Sequence, residues 1–172
     1  MAVPDAHARP SGLTRRILTI ALLGAPTALR AQPAPCGPPP TVLFVCPAGT
    51  VKSAIAREAL KARAAKAGVQ VRVRSRGLKI EDHVSPSLAA NLKADGIDPA
   101  AEPARPLSEG DVAAADIVIA FDGAAKALPS ARAWDIPSWN EDYPAARAAL
   151  ASDVDRLVAE LRARQSSGCA PR

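Results

Sequence analysis

Cys46 heads a segment, Cys46-Pro47-Ala48-Gly49-Thr50-Val51-Lys52-Ser53, that combines a thiol, a small-residue loop, a cation and a hydroxyl within eight residues. It follows the short continuous apolar run Thr41-Val42-Leu43-Phe44-Val45 and precedes a stretch with helical periodicity. In an open parallel sheet, ligands bind beyond the carboxyl ends of the strands, which is where this spacing puts Cys46. Backbone N–H groups in such a loop, with the positive end of the following helix dipole, suit a tetrahedral oxyanion. The same field favours the thiolate, the nucleophilic form of cysteine. Lys52 adds a positive charge and Ser53 is placed to donate a hydrogen bond to the sulfur. The spacing equally describes a buried cysteine at a strand end followed by an ordinary strand-to-helix loop, and residue types alone leave both open.

The elements that must hold this loop follow from periodicity. Apolar runs predict buried strands over residues 41–45 and 117–121, and alternating or short apolar stretches predict strands over 69–74 and 133–136. Ala56, Ala59, Leu60 and Ala64 mark one face of a helix over 53–67 that Gly68 stops. Ser85 as N-cap, Pro86 in the first turn and Gly96 past the end bound a helix over 85–95. Shorter helices are expected over 108–115 and 125–131, and a long one over 144–163 with Leu150, Val154, Leu157 and Leu161 inward. Strands alternating with helices imply an α/β fold of three layers, α/β/α, on a four-stranded parallel sheet with the anion loop after the first strand. Arg57, Lys61 and Arg63 read as a solvated helix face, and His83, beside Glu81 and Asp82, as a solvated loop residue. With His7 and His83 the sole histidines and the cysteines dispersed, no metal site has the required spacing.

Ahead of the domain, Thr14-Arg15-Arg16, an apolar run over 17–25, a break at Pro26 and the exit Ala28-Leu29-Arg30-Ala31-Gln32 describe an export signal over residues 1–31, cleaved after Ala31. The paired arginines fit a twin-arginine signal, while the apolar run is too short for a membrane-spanning helix. The competing reading is a disordered tail with a chance apolar patch. A periplasmic or secreted mature chain follows from the first. Residues 32–40 form a proline-rich linker, 41–164 the domain and 165–172 a C-terminal tail. The 172-residue chain carries a formal charge of +5, but four basic residues and one acid precede the cleavage point, which leaves the mature chain near neutrality. Five aromatics and no Lys/Arg run longer than two argue against a nucleic-acid binder. No stable membrane span is expected after cleavage, and the oligomeric state is not readable.

From Val42-Leu43-Phe44-Val45-Cys46 through Ser53-Ala54-Ile55-Ala56 the chain resembles the phosphate-binding loop of the low-molecular-weight protein tyrosine phosphatases and thioredoxin-coupled arsenate reductases. The likeness continues in order through Ser75-Arg76-Gly77, Asp95-Gly96-Ile97-Asp98, Ala104-Arg105-Pro106-Leu107, Ala115-Asp116-Ile117-Val118-Ile119-Ala120-Phe121-Asp122 and Trp134-Asp135-Ile136-Pro137, covering roughly residues 41–164. It implies a four-stranded parallel sheet, no cofactor, Cys46 as nucleophile, and phosphate held by Pro47, Ala48, Gly49, Thr50, Val51 and Lys52. Four positions depart from the family pattern. Lys52 stands for the loop arginine and loses its planar fork. Ser138 and Trp139 stand for the Asp-Pro of the general acid, leaving Asp142, or Glu141 beside it, as the carboxyl expected to substitute, unless that acidic turn simply caps the next helix. Gly49 stands for an asparagine.

Trp139 and Tyr143 are expected in the substrate cleft, with core packing as the other reading. Cys36 and Cys169 do not sit where arsenate reductases keep their resolving thiols; they either pair as a disulfide in an oxidising compartment or remain two unpaired thiols. The function implied is exported, cysteine-dependent hydrolysis of a phosphorylated protein or small phosphomonoester, with phosphate or arsenate as ligand. The alternatives are a catalytically impaired oxyanion- or phosphoprotein-binding member, or an arsenate reductase-like oxidoreductase.

Overall fold

The computed structural model describes residues 37–167; the expected export signal, most of the expected linker, Cys36 and Cys169 lie outside the described residues. Four parallel strands, β1 (Thr41–Cys46), β2 (Arg72–Gly77), β3 (Ile117–Phe121) and β4 (Arg132–Trp134), lie in the order β2-β1-β3-β4. β1 is central, paired with β2 from Thr41↔Arg72 to Cys46↔Gly77 and with β3 from Val42↔Ile117 to Val45↔Ala120. All six of its residues are buried, as a run without polar alternation requires when both faces are covered.

The period of two along β1 divides its side chains between two cores. Val42, Phe44 and Cys46 join the larger, built with Ile55 and Leu60 of α1 (Lys52–Ala67) and Leu150, Val154, Leu157 and Leu161 of the last helix. Leu43 and Val45 face the smaller, with Ala120 and Ala124, closed by Leu107, Val112 and Leu128. The remaining helices are α2 (Pro86–Ala94), α3 (Glu109–Ala113), α4 (Gly123–Ala127) and α5 (Tyr143–Ser167), with a 3-10 turn at Pro99–Ala101. α2 is N-capped by Ser85, whose side chain accepts from the Leu88 N–H, and α3 by a reciprocal Ser108–Asp111 capping box.

Three expectations are corrected. β2 begins at Arg72, three residues later than the alternation suggested. Gly68 closes α1 with φ 67°, and Val69 donates back to the Ala64 carbonyl at 2.9 Å, so Val69 still belongs to the helix end. α4 begins at Gly123 and ends at Ala127, ahead of the expected span. Arg57, expected in solvent, is 1% exposed. Its guanidinium donates to Ser75 Oγ at 2.7 Å, the Pro99 carbonyl at 3.0 Å and Glu58 Oε1 at 2.5 Å, clamping α1 to β2 and the 3-10 turn. Long-range acceptors on neighbouring elements, invisible to helical periodicity, satisfy the buried charge. Lys61, which ion-pairs with Glu58 and Glu102, and Arg63, paired with Asp155, keep partly exposed side chains.

Candidate active site

The carbonyls of Cys46, Pro47 and Ala48 accept from the N–H groups of Leu78, Lys79 and Glu81 at 3.2, 3.0 and 3.2 Å. In a trans peptide the N–H points opposite to the C=O. Carbonyls turned outward to the segment after β2 therefore turn the following loop amides inward. Gly49 N–H shows the result, donating to Cys46 Sγ at 3.1 Å. Among the described residues the N–H groups of Ala48, Thr50, Val51 and Lys52 have no protein acceptor. Val51 provides no side-chain cap for α1, so the helix opens directly onto this ring of donors.

Two glycines make the turn possible. Gly49 has φ 76°, and a Cβ there would lie 2.9 Å from Ile80 Cδ1 and 3.0 Å from Gly77 Cα. A Cβ on Gly77 would lie 2.8 Å from Gly49 N, so loop and strand end meet where neither tolerates a side chain. Thr50 Oγ1 donates to the Glu81 carbonyl at 2.7 Å and fixes the far side of the loop. Pro47, exposed, stands at its lip.

Cys46 is 3% exposed and Ser53 fully buried, their Sγ and Oγ 3.1 Å apart; the Arg76 carbonyl, 3.2 Å from the same Oγ, competes with the sulfur for the single hydroxyl proton. The structure thus brings Cys46, Ser53 and the Gly49 amide together at the start of α1. Such a sulfur, flanked by a hydroxyl and an amide at a helix N-terminus, can act as a nucleophile toward the centre of an anion held by the free donors.

Lys52 is placed differently from expectation. Its Nζ donates to Asp122 Oδ1 at 2.6 Å and to the Ile136 carbonyl at 2.5 Å. Asp122, immediately after β3, is a participant the sequence reading did not single out. The rule that marked Cys46, the residue leaving the carboxyl end of a buried strand, applied to β3 points to Asp122. Its φ of 50° is the sole positive value at a non-glycine position among the described residues.

The other expected site residues are bonded to partners outside the loop. Asp142 Oδ1 accepts from Ala145 N–H at 2.9 Å and so caps α5. Ser138 lends its carbonyl to the N–H groups of Glu141 and Asp142, tightening the same turn. Trp139 is 3% exposed in the larger core, packed edge-on to Tyr143 with ring centroids 5.4 Å apart. The Tyr143 hydroxyl donates to Asp95 at 2.6 Å; burial, with this bond to a carboxylate, pushes it up to about 12. Trp139 and Tyr143 therefore hold α5 against the segment following α2. Arg76 donates to Asp111 at 2.6 Å, and the guanidinium holds that carboxyl down at about 2. His83 is exposed and bonded to Glu81. Among the described residues no three or more His, Cys, Asp or Glu side chains stand together as metal ligands.

A cysteine-headed anion loop between the central strand and first helix of a four-stranded parallel sheet defines an α/β protein of the phosphatase and arsenate reductase type. The chain belongs to the low molecular weight phosphotyrosine protein phosphatase family, whose model matches residues 41–135. Solved structures share the fold. The YwlE arginine phosphatase of Geobacillus stearothermophilus is 24% identical with a TM-score of 0.61, over 78% of this chain and 100% of that one. An arsenate reductase in a phosphate-binding state is 23% identical with a TM-score of 0.59, over 71% and 98%. The low molecular weight protein tyrosine phosphatase of T. tengcongensis is 22% identical with a TM-score of 0.57, over 70% and 99%. A comparison with curated proteins finds no match.

Proposed function

We propose that this chain hydrolyses phosphomonoesters through a covalent thiophosphate on Cys46. The observation that carries the reading is the sulfur itself, bonded to Gly49 N–H and Ser53 Oγ at 3.1 Å each, in a loop whose other amides have no protein acceptor among the described residues. The thiolate attacks phosphorus, the phosphorus–oxygen bond to the leaving group breaks, and the leaving oxygen takes a proton. Water then displaces the sulfur, releasing inorganic phosphate and restoring the thiolate. Ser138 cannot serve as a proton donor at neutral pH, and Asp142 is engaged at the α5 cap. Losing a positioned acid removes about 10² to 10⁴ in rate. Substrates whose leaving group needs little protonation, aryl phosphates and phosphotyrosine in a protein, are therefore favoured over alkyl phosphates. The arginine phosphatase and arsenate reductase among the structural neighbours extend the ligand class to other tetrahedral oxyanions and phosphorylated proteins. We place this activity outside the cytoplasm, on the export pattern of residues 1–31.

One observation favours a second reading, an oxyanion-binding member with little turnover: the single loop cation is bonded to Asp122 and Ile136. The full-length chain is assayed for aryl phosphate turnover beside Cys46→Ser and the double variant Lys52→Arg plus Ser138→Asp. Turnover no faster than that of Cys46→Ser refutes the hydrolase reading, and activity confined to the double variant supports the binding one. Export is tested by fractionation: a chain retaining Met1 and found in the cytoplasm alone refutes it.

A further inference from the structure

The position of the Lys52 ammonium does not follow from an anion site alone. Its side chain is 14% exposed, so the charge sits in a wall of the protein and needs partners. It takes two, both from outside the loop: the Asp122 carboxylate and the Ile136 carbonyl. Cys46 Sγ is bonded to Gly49 N–H and Ser53 Oγ, with no bond to the lysine. The Asp122 carboxylate is itself 46% exposed, and the backbone presents it from a φ of 50° and ψ of −130°. Non-glycine residues occupy such conformations only where surrounding structure holds them, and such strain clusters at ligand clamps and switches.

Resting on the oxyanion-loop reading, we propose that Asp122 is a positioning residue that latches Lys52 away from Cys46, and that a bound anion draws the ammonium across. A lysine permits this where an arginine would not, because its compact head turns on a flexible four-carbon stem with three rotatable donors. While the latch is closed, Asp122 cancels most of the lysine charge, leaving anion capture to backbone donors. An incoming anion competes with Asp122 for the same ammonium. The pair thereby sets the anion selectivity of the thiol: weak for monoanions that cannot open the latch, stronger for tetrahedral dianions that can.

The test compares alkylation of Cys46 by iodoacetate, an anion, with that by iodoacetamide, its neutral counterpart, and uses their rate ratio. The proteins are the full-length chain, Asp122→Asn, Lys52→Met and the double variant. Asparagine matches aspartate in shape, so it meets this backbone conformation as the native residue does, and it keeps an acceptor while removing the charge. If Lys52 moves on release, Asp122→Asn raises the ratio about tenfold with Lys52 present and about twofold in Lys52→Met, where one fewer negative charge acts alone. Equal increases in both backgrounds are the signature of a fixed pair acting by simple addition, and they overturn the latch, as does an unchanged ratio. Asp122→Gly, which relieves the φ strain, repeats the comparison in a variant that needs no asparagine to fold. Because alkylation requires no phosphate chemistry, a chain that turns over no phosphomonoester but shows the coupled increase refutes the hydrolase reading and supports the latch.

Discussion

Replacing Gly49 by alanine isolates what the loop geometry costs. Two penalties arise at this position. A φ of 76° is uncomfortable for any side chain with a Cβ, at about 1–2 kcal/mol. Contacts of 2.9 Å to Ile80 Cδ1 and 3.0 Å to Gly77 Cα and N then add an overpacking cost of about 1–3 kcal/mol, because the glycine backbone opposite cannot rotate aside as a side-chain tip can. Gly96 provides the control. It has φ 70° with nothing within 4 Å of where a Cβ would stand, so Gly96→Ala carries the conformational penalty alone. Gly77 provides the converse, a Cβ 2.8 Å from Gly49 N without a positive φ, and carries the packing penalty alone. The expected order of destabilisation in urea is Gly49→Ala, about 2–5 kcal/mol, exceeding both Gly77→Ala and Gly96→Ala, at about 1–3 and 1–2 kcal/mol. Gly49→Ala also slows iodoacetamide alkylation of Cys46, since the displaced loop no longer aims its N–H at the sulfur. Equal stability losses for Gly49→Ala and Gly96→Ala, with Cys46 reactivity unchanged, refute the claim that the close approach of the two glycines builds the loop.

Arg57→Ala removes a guanidinium from a fully enclosed site and leaves Ser75 Oγ and the Pro99 carbonyl without their donor, a loss of about 3–5 kcal/mol in denaturant titration. Arg57→Met, which refills the volume, should recover part of it. Ser53→Ala deletes the hydroxyl at the sulfur and should lower aryl phosphate turnover about tenfold with the fold intact by circular dichroism, a loss in the range of one charge-assisted hydrogen bond. Asp111, held at about 2 against an ordinary 3.8, is a depressed carboxyl; its stabilising contribution is complete above pH 4 and is lost as pH falls toward 2, and Asp111→Asn should flatten that limb of the stability profile. Tyr143 is a raised acid; its contribution is present below pH 10 and lost as pH rises through about 12, so Tyr143→Phe should reduce the loss of stability on the alkaline side.

Legibility from sequence tracked locality. β1, its cysteine and the following helix were readable because an unbroken apolar run, a small-residue loop and an alanine stripe are consecutive signals, and the structure places all three as expected. β3 was readable for the same reason. What could not be read are partnerships across the chain. Lys52 meets residues 70 and 84 positions away, and Arg57 meets acceptors 18 and 42 positions away. Helical periodicity assigned Arg57 to solvent because it reports charge, not which neighbouring strand presents a hydroxyl. Trp139 illustrates an ambiguity that sequence leaves: an aromatic at that position reads equally as cleft wall or core, and the structure buries it in the larger core. The shift of β2 came from Val69, an apolar residue that reads as strand but completes the hydrogen bonding of the preceding helix.

The two outer strands leave little room for this sheet to grow. β4 is three residues long, too brief to template another chain. β2 carries Arg72 and Arg74 exposed along its length, and its end is covered where Gly77 exchanges hydrogen bonds with the segment around Pro106. A strand from a second molecule would have to pair beside a row of guanidinium groups and stop short of a capped terminus. Edge-to-edge addition of a second sheet is thus discouraged on both sides.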